Sequence, residues 1–288
     1  MLRGVLTTVT AGAYTFRGVS VGGVYTSIAV PELGVLFDAG IPARSLAALD
    51  TILLSHGHAD HIGALPAILG IRALHGKTRP PRVVMPAEIV GDVLAALEPM
   101  SRLQRFPLAI DAIGMSPGDE LELRGDLRVR AVRTFHPVPS LAYVLVRRVA
   151  KLRAELRGLA GPEIAARRRA GEEVSEHDDR LELAYATDTL VTALDHAPEL
   201  YEARVLVMEC TFLDDKKSLE AARAGCHVHL DEVIERADRF HNEAIVMMHT
   251  SQIYAPDQVA ELLDRRVPPA LRARIVPFVS ATTSHWPG

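Results

Sequence analysis

A chain of 288 residues with 48% hydrophobic content has enough apolar side chain for a sizeable core, in one large domain or two small ones. Its 32 Lys and Arg against 36 Asp and Glu leave a net charge of -4, which excludes nucleic-acid binding by general basic character and requires any polyanion to be gripped locally. Two cysteines, Cys210 and Cys226, exclude a disulfide framework and a CxxC metal knuckle. No apolar run nears the roughly 20 residues that span a bilayer, and MLRGVLTTVTAGAYTF lacks an apolar h-region, so a soluble protein of the reducing cytoplasm is the expectation.

The first elements are short β-like runs at Ala13 to Val19, Val24 to Val30, Val35 to Phe37 and Thr51 to Leu54, separated by turns such as Gly22-Gly23. From His61 onward helices alternate with strands: a helix near Ile62 to Leu69, a strand at Arg82 to Met85, a helix at Ala87 to Leu97, then strands around Glu120 to Leu123 and Leu127 to Thr134. A basic helical insert follows at about 147–174, carrying Arg147, Arg148, Lys151, Arg153, Arg157, Arg167, Arg168 and Arg169, and reads equally as a solvated arm and as a binding surface. Beyond it come strands at Leu181 to Thr187, Val205 to Glu209 and Ala244 to Met248, with helices at Leu230 to Arg239 and Pro256 to Leu263. A single domain over 1–288, of two mixed sheets flanked by helices, suits this order better than two independent domains. Each polar cluster falls behind the C-terminal end of a strand, where layered α/β proteins keep their sites.

Directly behind Thr51 to Leu54 stands HGHADH, three histidines and an aspartate in six positions. His56 and His58 lie two apart in an extended loop, so their side chains point to one side and can grip one ion. Asp60 and His61, adjacent at a helix start, diverge by about 100° and address a second. Imidazoles and carboxylates without thiolate suit zinc, with manganese or iron(II) as alternatives. Two ions about 3.5 to 4 Å apart need more ligands, one of them bridging. Three strand ends supply lone polar residues: His136 in TFHPVPS, Asp188 in YATDTL and His249 in VMMHTS.

Two divalent ions bring about +4, and Asp60, Asp188 and a bridging hydroxide reduce it to about +1. Such a cleft welcomes a phosphodiester, and would also polarise a thioester, lactam or lactone. A leaving alkoxide needs a proton, and GCHVHLDEV offers His227 and His229. His229, directly before the helix, is the expected acid, with Glu209 of LVMECT as its carboxylate partner. His227 is left between a surface role and a substrate contact. His75, His177, His196, His241 and His285 lack a partner pattern and read as structural or solvent-facing.

HGHADH resembles the motif of the metallo-β-lactamase superfamily. GVSVGGVYTSIAVPELGVLFDAG, ILLSHGHADHIGALP, FHPVPSLAYVL, LAYATDT, LVMECTFLDD, CHVHLDEV and VMMHTSQIY are together similar to short-form, plant-type tRNase Z (ribonuclease Z), the endonuclease that removes 3′ trailers from precursor tRNA, over nearly the whole chain. The resemblance implies a four-layer αββα sandwich with two zinc ions, one on His56, His58 and His136, the other on Asp60, His61 and His249, and Asp188 bridging. It further implies that Asp60 orients the attacking hydroxide, that His229 with Glu209 protonates the leaving ribose oxygen, and that a homodimer forms in which one subunit holds tRNA for the other. Expected substrate contacts are Ser140, Tyr143, His227, Arg167, Arg168 and Arg169. The chain departs from the family at HTSQIY, where Gln252 and Ile253 stand in place of an arginine pattern, at Thr187 and Ala142 in place of glycines, and in its short arm. Alternatives on the same scaffold are a hydrolase of small phosphodiesters or of thioesters and lactones, and a metal-stabilised binding protein.

Overall fold

Along Val205–Glu209, Leu206 and Met208 face one way and Val205 and Val207 the other, and all four are buried, so this strand needs a layer on each side. Val35–Phe37 has the same requirement: Leu36 joins one apolar cluster and Val35 and Phe37 another. The computed structural model, which describes residues 6–280, meets the requirement with two seven-stranded sheets face to face and helices on both outer surfaces. His285 lies outside the described residues.

The first sheet runs in chain order through β1 (Thr7–Ala11), β2 (Tyr14–Val21), β3 (Tyr25–Val30), β4 (Val35–Phe37), β5 (Thr51–Leu53), β6 (Arg82–Pro86) and β7 (Asp111–Met115). Pairing is antiparallel from β1 to β4 and parallel from β4 to β7. The second contains β8 (Glu120–Arg124), β9 (Leu127–Arg133), β10 (Leu141–Leu152), β11 (Ser175–Ala186), β12 (Val205–Glu209), β13 (Ala244–Met248) and β14 (Ile275–Pro277), antiparallel from β8 to β11 and parallel from β11 to β14.

Three apolar clusters fill the three spaces between four layers. Phe16, Ile28, Phe37 and Leu53 meet Val129, Tyr143, Tyr185 and Val207 between the sheets. Leu36, Ile52 and Val83 pack under the helices Leu65–Leu74 and Val90–Gln104, through Ile68, Leu69, Val93 and Leu97. Val144, Leu206 and Ile245 pack under Leu230–Glu235 and Pro256–Arg266, through Val233, Val259 and Leu263. The expected αββα sandwich is what forms.

The insert differs from a helical arm. β10 and β11 pair from Tyr143 opposite Tyr185 out to Leu152 opposite Ser175, but β10 leaves β9 behind at Arg147 and β11 meets β12 only from Leu183, so the two strands run out of the sheet as a hairpin. Only Gly161–Arg169 within it is α-helical. Charge density in RRVAKL suggested an exposed helix, yet a two-stranded ribbon leaves both faces to solvent and tolerates the same residues. β1 and β7, at one edge and the other of the first sheet, also went unread.

Candidate metal centre

Where the parallel strands end, the chain reverses sharply. Asp38, Asp188 and His249, each next after the last residue of its strand or one beyond, take left-handed backbone with φ of 57°, 43° and 58°. Non-glycine residues adopt that region at a cost, and such positions gather at functional sites. Gly40 answers a different need: a Cβ there would lie 1.9 Å from the Asp60 carbonyl oxygen, so only glycine lets the FDAG loop pass against HADH.

The turns bring the predicted ligands together. His56, His58, His136 and Asp188 form one group, and Asp60, His61, Asp188 and His249 a second, the ligand atoms within each lying within 4.8 Å of one another. Each group takes two residues from the loop after β5 and two from ends of second-sheet strands, and Asp188 belongs to both. Asp188 Oδ2 lies 3.6 Å from His56 Nε2 and 3.5 Å from His61 Nε2, and its Oδ1 3.2 Å from His249 Nε2. Asp60 Oδ2 is 3.4 Å from His61 Nε2 and 3.8 Å from His249 Nε2.

Electrostatics prepare these groups for a cation. Burial, helped by the charge on His61, pushes the His56 imidazole down to about 2, and burial first of all takes His136 to about 4, so both offer lone pairs at neutral pH. Burial opposes ionisation of Asp188, but His249, His61 and His56 outweigh it and hold the carboxylate well below its usual range. Asp60 is likewise held far below, its burial overcome by hydrogen bonds from His249 and His61. His61 goes the other way, since the carboxylates of Asp188 and Asp38 overcome its burial. His56 Nε2 is buried without a hydrogen-bond partner, which is what a ligand atom awaiting a metal looks like. Nitrogen and oxygen donors with no thiolate fit a divalent ion such as zinc.

Beside the clusters, Glu209 closes β12 with its carboxylate 1% exposed. It accepts from Thr189 N at 2.7 Å, Thr211 Oγ1 at 2.6 Å and Val228 N at 3.1 Å, and its charged partner is His227, whose Nδ1 lies 3.2 Å from Oε2. Burial would lower His227, but the Glu209 carboxylate prevails and raises it to about 9. The ring stacks on His249 at 5.6 Å between centroids and stays partly open to solvent.

His229 is elsewhere. It is the N-cap of Leu230–Glu235: its Nδ1 accepts from Asp231 N, Glu232 accepts from its backbone N–H, and its Nε2 donates to the Asp214 carbonyl at 3.2 Å. The structure therefore does not bring His229 to Glu209. Glu232, three positions after His229, was only half a cue to this cap, because the capping box ordinarily begins with Ser or Thr.

Other expected contacts divide. Ser140 bridges to His56 in backbone pairing and its hydroxyl meets Thr134 Oγ1 at 2.5 Å. Tyr143 is wholly buried between the sheets and donates to the Leu54 carbonyl at 2.6 Å, so it secures the end of β5 rather than facing a ligand. Arg167, Arg168 and Arg169 ride on the arm's helix, where Arg167 pairs with Glu163 and Glu172 while Arg168 and Arg169 make no ion pair among the described residues. Unforeseen were Asp38, Ser55, Tyr185 and Thr211. Asp38 closes the apolar run VLF as Asp188 closes its own, and that likeness was the available cue.

A β-lactamase superfamily domain model matches residues 29–250, and with the sandwich and the histidine clusters it defines the class as metallo-β-lactamase-fold hydrolases. Over 265 residues the chain is 36% identical to tRNase Z TRZ1 of Arabidopsis thaliana, covering 91% of this chain and 94% of that one, and it is 30% identical to chloroplastic tRNase Z TRZ2 of the same plant, covering 95% and 77%. The chain belongs to the tRNase Z family. The fold recurs in human tRNase Z, short form (TM-score 0.54, 17% identity, 86% of this chain and 93% of that one), and in a metallo-beta-lactamase fold protein from Bacillus subtilis (TM-score 0.54, 14% identity, 92% and 95%). Among the described residues no helix is long and apolar enough to cross a membrane.

Proposed function

We propose that the chain is a cytoplasmic, zinc-dependent endoribonuclease that removes 3′ trailers from precursor tRNA. The observation that carries this reading is the pair of His and Asp clusters sharing Asp188, with the His227–Glu209 pair alongside. Its support in kinship is the identity to plant tRNase Z along nearly the whole chain.

His56, His58, His136 and Asp188 would hold one zinc ion and Asp60, His61, Asp188 and His249 the other. When bound, the two ions supply Lewis acidity toward a phosphate oxygen and a water acidic enough to attack near neutral pH. The chain does the rest. Asp60, the more exposed carboxylate of the two, would accept a hydrogen bond from the attacking hydroxide, formed as the water releases a proton to solvent, and aim its lone pair at phosphorus. His227 has Nδ1 turned to Glu209, which leaves Nε2 free to give its proton to the departing ribose oxygen. Glu209 fixes that orientation and keeps the ring charged until the bond breaks. The acid is thus assigned to His227, two residues before the histidine favoured by sequence.

Arg148, Arg168 and Arg169, which make no ion pair among the described residues, are the arm side chains available for RNA phosphates; Lys151, Arg153 and Arg157 are occupied by Asp178, Glu173 and Glu176. A homodimer fits the apolar side chains exposed on the helices outside the first sheet, Leu74 (86% exposed) and Leu103 (78%) among them. Incubation of the purified chain with a trailer-bearing precursor tRNA and zinc or manganese gives a discrete cut behind the discriminator under this reading. An uncut precursor together with rapid turnover of bis(p-nitrophenyl) phosphate replaces it with a small-molecule phosphodiesterase.

A further inference from the structure

Among the described residues outside the ligand set, Ser55, wholly buried between β5 and His56, is the side chain within hydrogen-bond distance of histidines of both clusters. Its Oγ lies 2.9 Å from each oxygen of Asp38, 2.9 Å from His56 Nδ1 and 3.4 Å from His61 Nδ1. Asp38 in turn accepts from the Ser55 backbone N–H at 2.7 Å, from His61 Nδ1 at 2.8 Å and from the Tyr185 hydroxyl at 2.6 Å.

A hydroxyl has one hydrogen to give. Directed at the Asp38 carboxylate, it leaves Ser55 Oγ as an acceptor, so the hydrogen between Ser55 and His56 must sit on His56 Nδ1. The Nε2 lone pair of His56 then points into the first cluster, where that atom has no other partner. On the far side of Asp38 the same logic puts a hydrogen on His61 Nδ1 and leaves Nε2 facing Asp60 and Asp188. One short chain, His56 to Ser55 to Asp38 to His61, therefore presets a ligand atom in each cluster.

We infer that Ser55 is a positioning residue common to both metal clusters, fixing His56 of the first directly and His61 of the second through Asp38. Tyr185 donates to the Asp38 oxygen that His61 also meets, one link from His61 but two from His56, which it reaches only through Ser55, so it bears chiefly on the second cluster. Outer partners of metal-bound histidines are commonly worth 10- to 100-fold in affinity, roughly the scale expected here. The inference rests on the metal-binding reading and not on which ester is cut.

The test is zinc titration of the full chain against a chromophoric chelator, with long-range proton–nitrogen NMR of the imidazoles to say which histidine each step engages. Ser55→Ala should weaken both the step that engages His56 and the step that engages His61, by about 10- to 100-fold each, whereas Tyr185→Phe should weaken the latter more than the former. In the metal-free, unmodified chain the His56 hydrogen should be found on Nδ1. A hydrogen on His56 Nε2, or a Ser55→Ala chain that loses affinity at one step only or at neither, overturns the assignment. If Ser55→Ala does not fold, the His56 spectrum of the unmodified chain and the Tyr185→Phe titration still decide it. A chain that shows this pattern yet leaves precursor tRNA intact would sink the RNA reading alone, while a chain that takes up no zinc removes both.

Discussion

Between His56 and His61 the first sheet delivers four candidate ligands on one loop, whereas the second delivers His136, Asp188, Glu209 and His249 from the ends of four different strands. The first contribution is local: it needs only a strand end and a short helix start. The second exists only because β9 and β11 to β13 run to the same rim, so it is a product of topology. Damage to the two should look different. A loop can adjust around one lost ligand, while a strand-end ligand such as Asp188 is tied to the sheet that carries it.

The largest effect is expected at the residue both clusters share. Asp188→Ala should reduce cleavage to background and lower zinc content by elemental analysis; a chelator should do the same to the unmodified chain, with zinc restoring it. A variant retaining two ions and normal turnover would break the comparison. Next comes the histidine pair. His227→Ala should lower kcat by about 10²- to 10⁴-fold with zinc retained. His229→Ala should leave kcat within a few-fold and lower the melting temperature, since a lost N-cap costs about 1 kcal/mol.

The pH profile sharpens the same point. As the proposed acid His227 must be protonated to act, and its value is raised to about 9, so activity should stand below that pH and fall as pH rises through it. Glu209→Gln removes the carboxylate responsible and should move the alkaline limb down toward the ordinary histidine range near 6.5, measured as kcat against pH. An unmoved limb would separate Glu209 from the acid. The smallest effect belongs to the arm: Arg168→Ala with Arg169→Ala should raise KM for precursor tRNA a few-fold. The slope of its salt dependence should flatten by about 0.7 to 0.9 for each phosphate no longer neutralised, with bis(p-nitrophenyl) phosphate turnover unchanged.

The contrast also explains what could be read in advance. HGHADH was legible because its ligands are neighbours in sequence, and the unbroken apolar run VLVM marked the strand at Val205 to Glu209. His136, Asp188 and His249 were legible as polar residues closing apolar runs, once the first loop had raised the question. Which histidine of CHVH meets Glu209 was not, because it depends on whether the helix cap consumes the second ring, and here it does. Asp38 and Ser55 stayed hidden for another reason: their partners are His61 and His56, and only the folded turn shows an aspartate serving histidines rather than an ion. The hairpin was misjudged because arginine-rich segments carry no periodicity strong enough to separate ribbon from helix.

The division of each cluster, two residues from one sheet and two from the other, has a consequence for biogenesis. A chain with only its N-terminal half emerged from the ribosome owns the entire HGHADH loop yet neither complete cluster, so under the proposed metal-binding reading tight metal uptake would wait until the second sheet has docked. On that reading metal acquisition would act as a timer, reporting a finished sandwich and delaying hydrolytic competence until synthesis is nearly over.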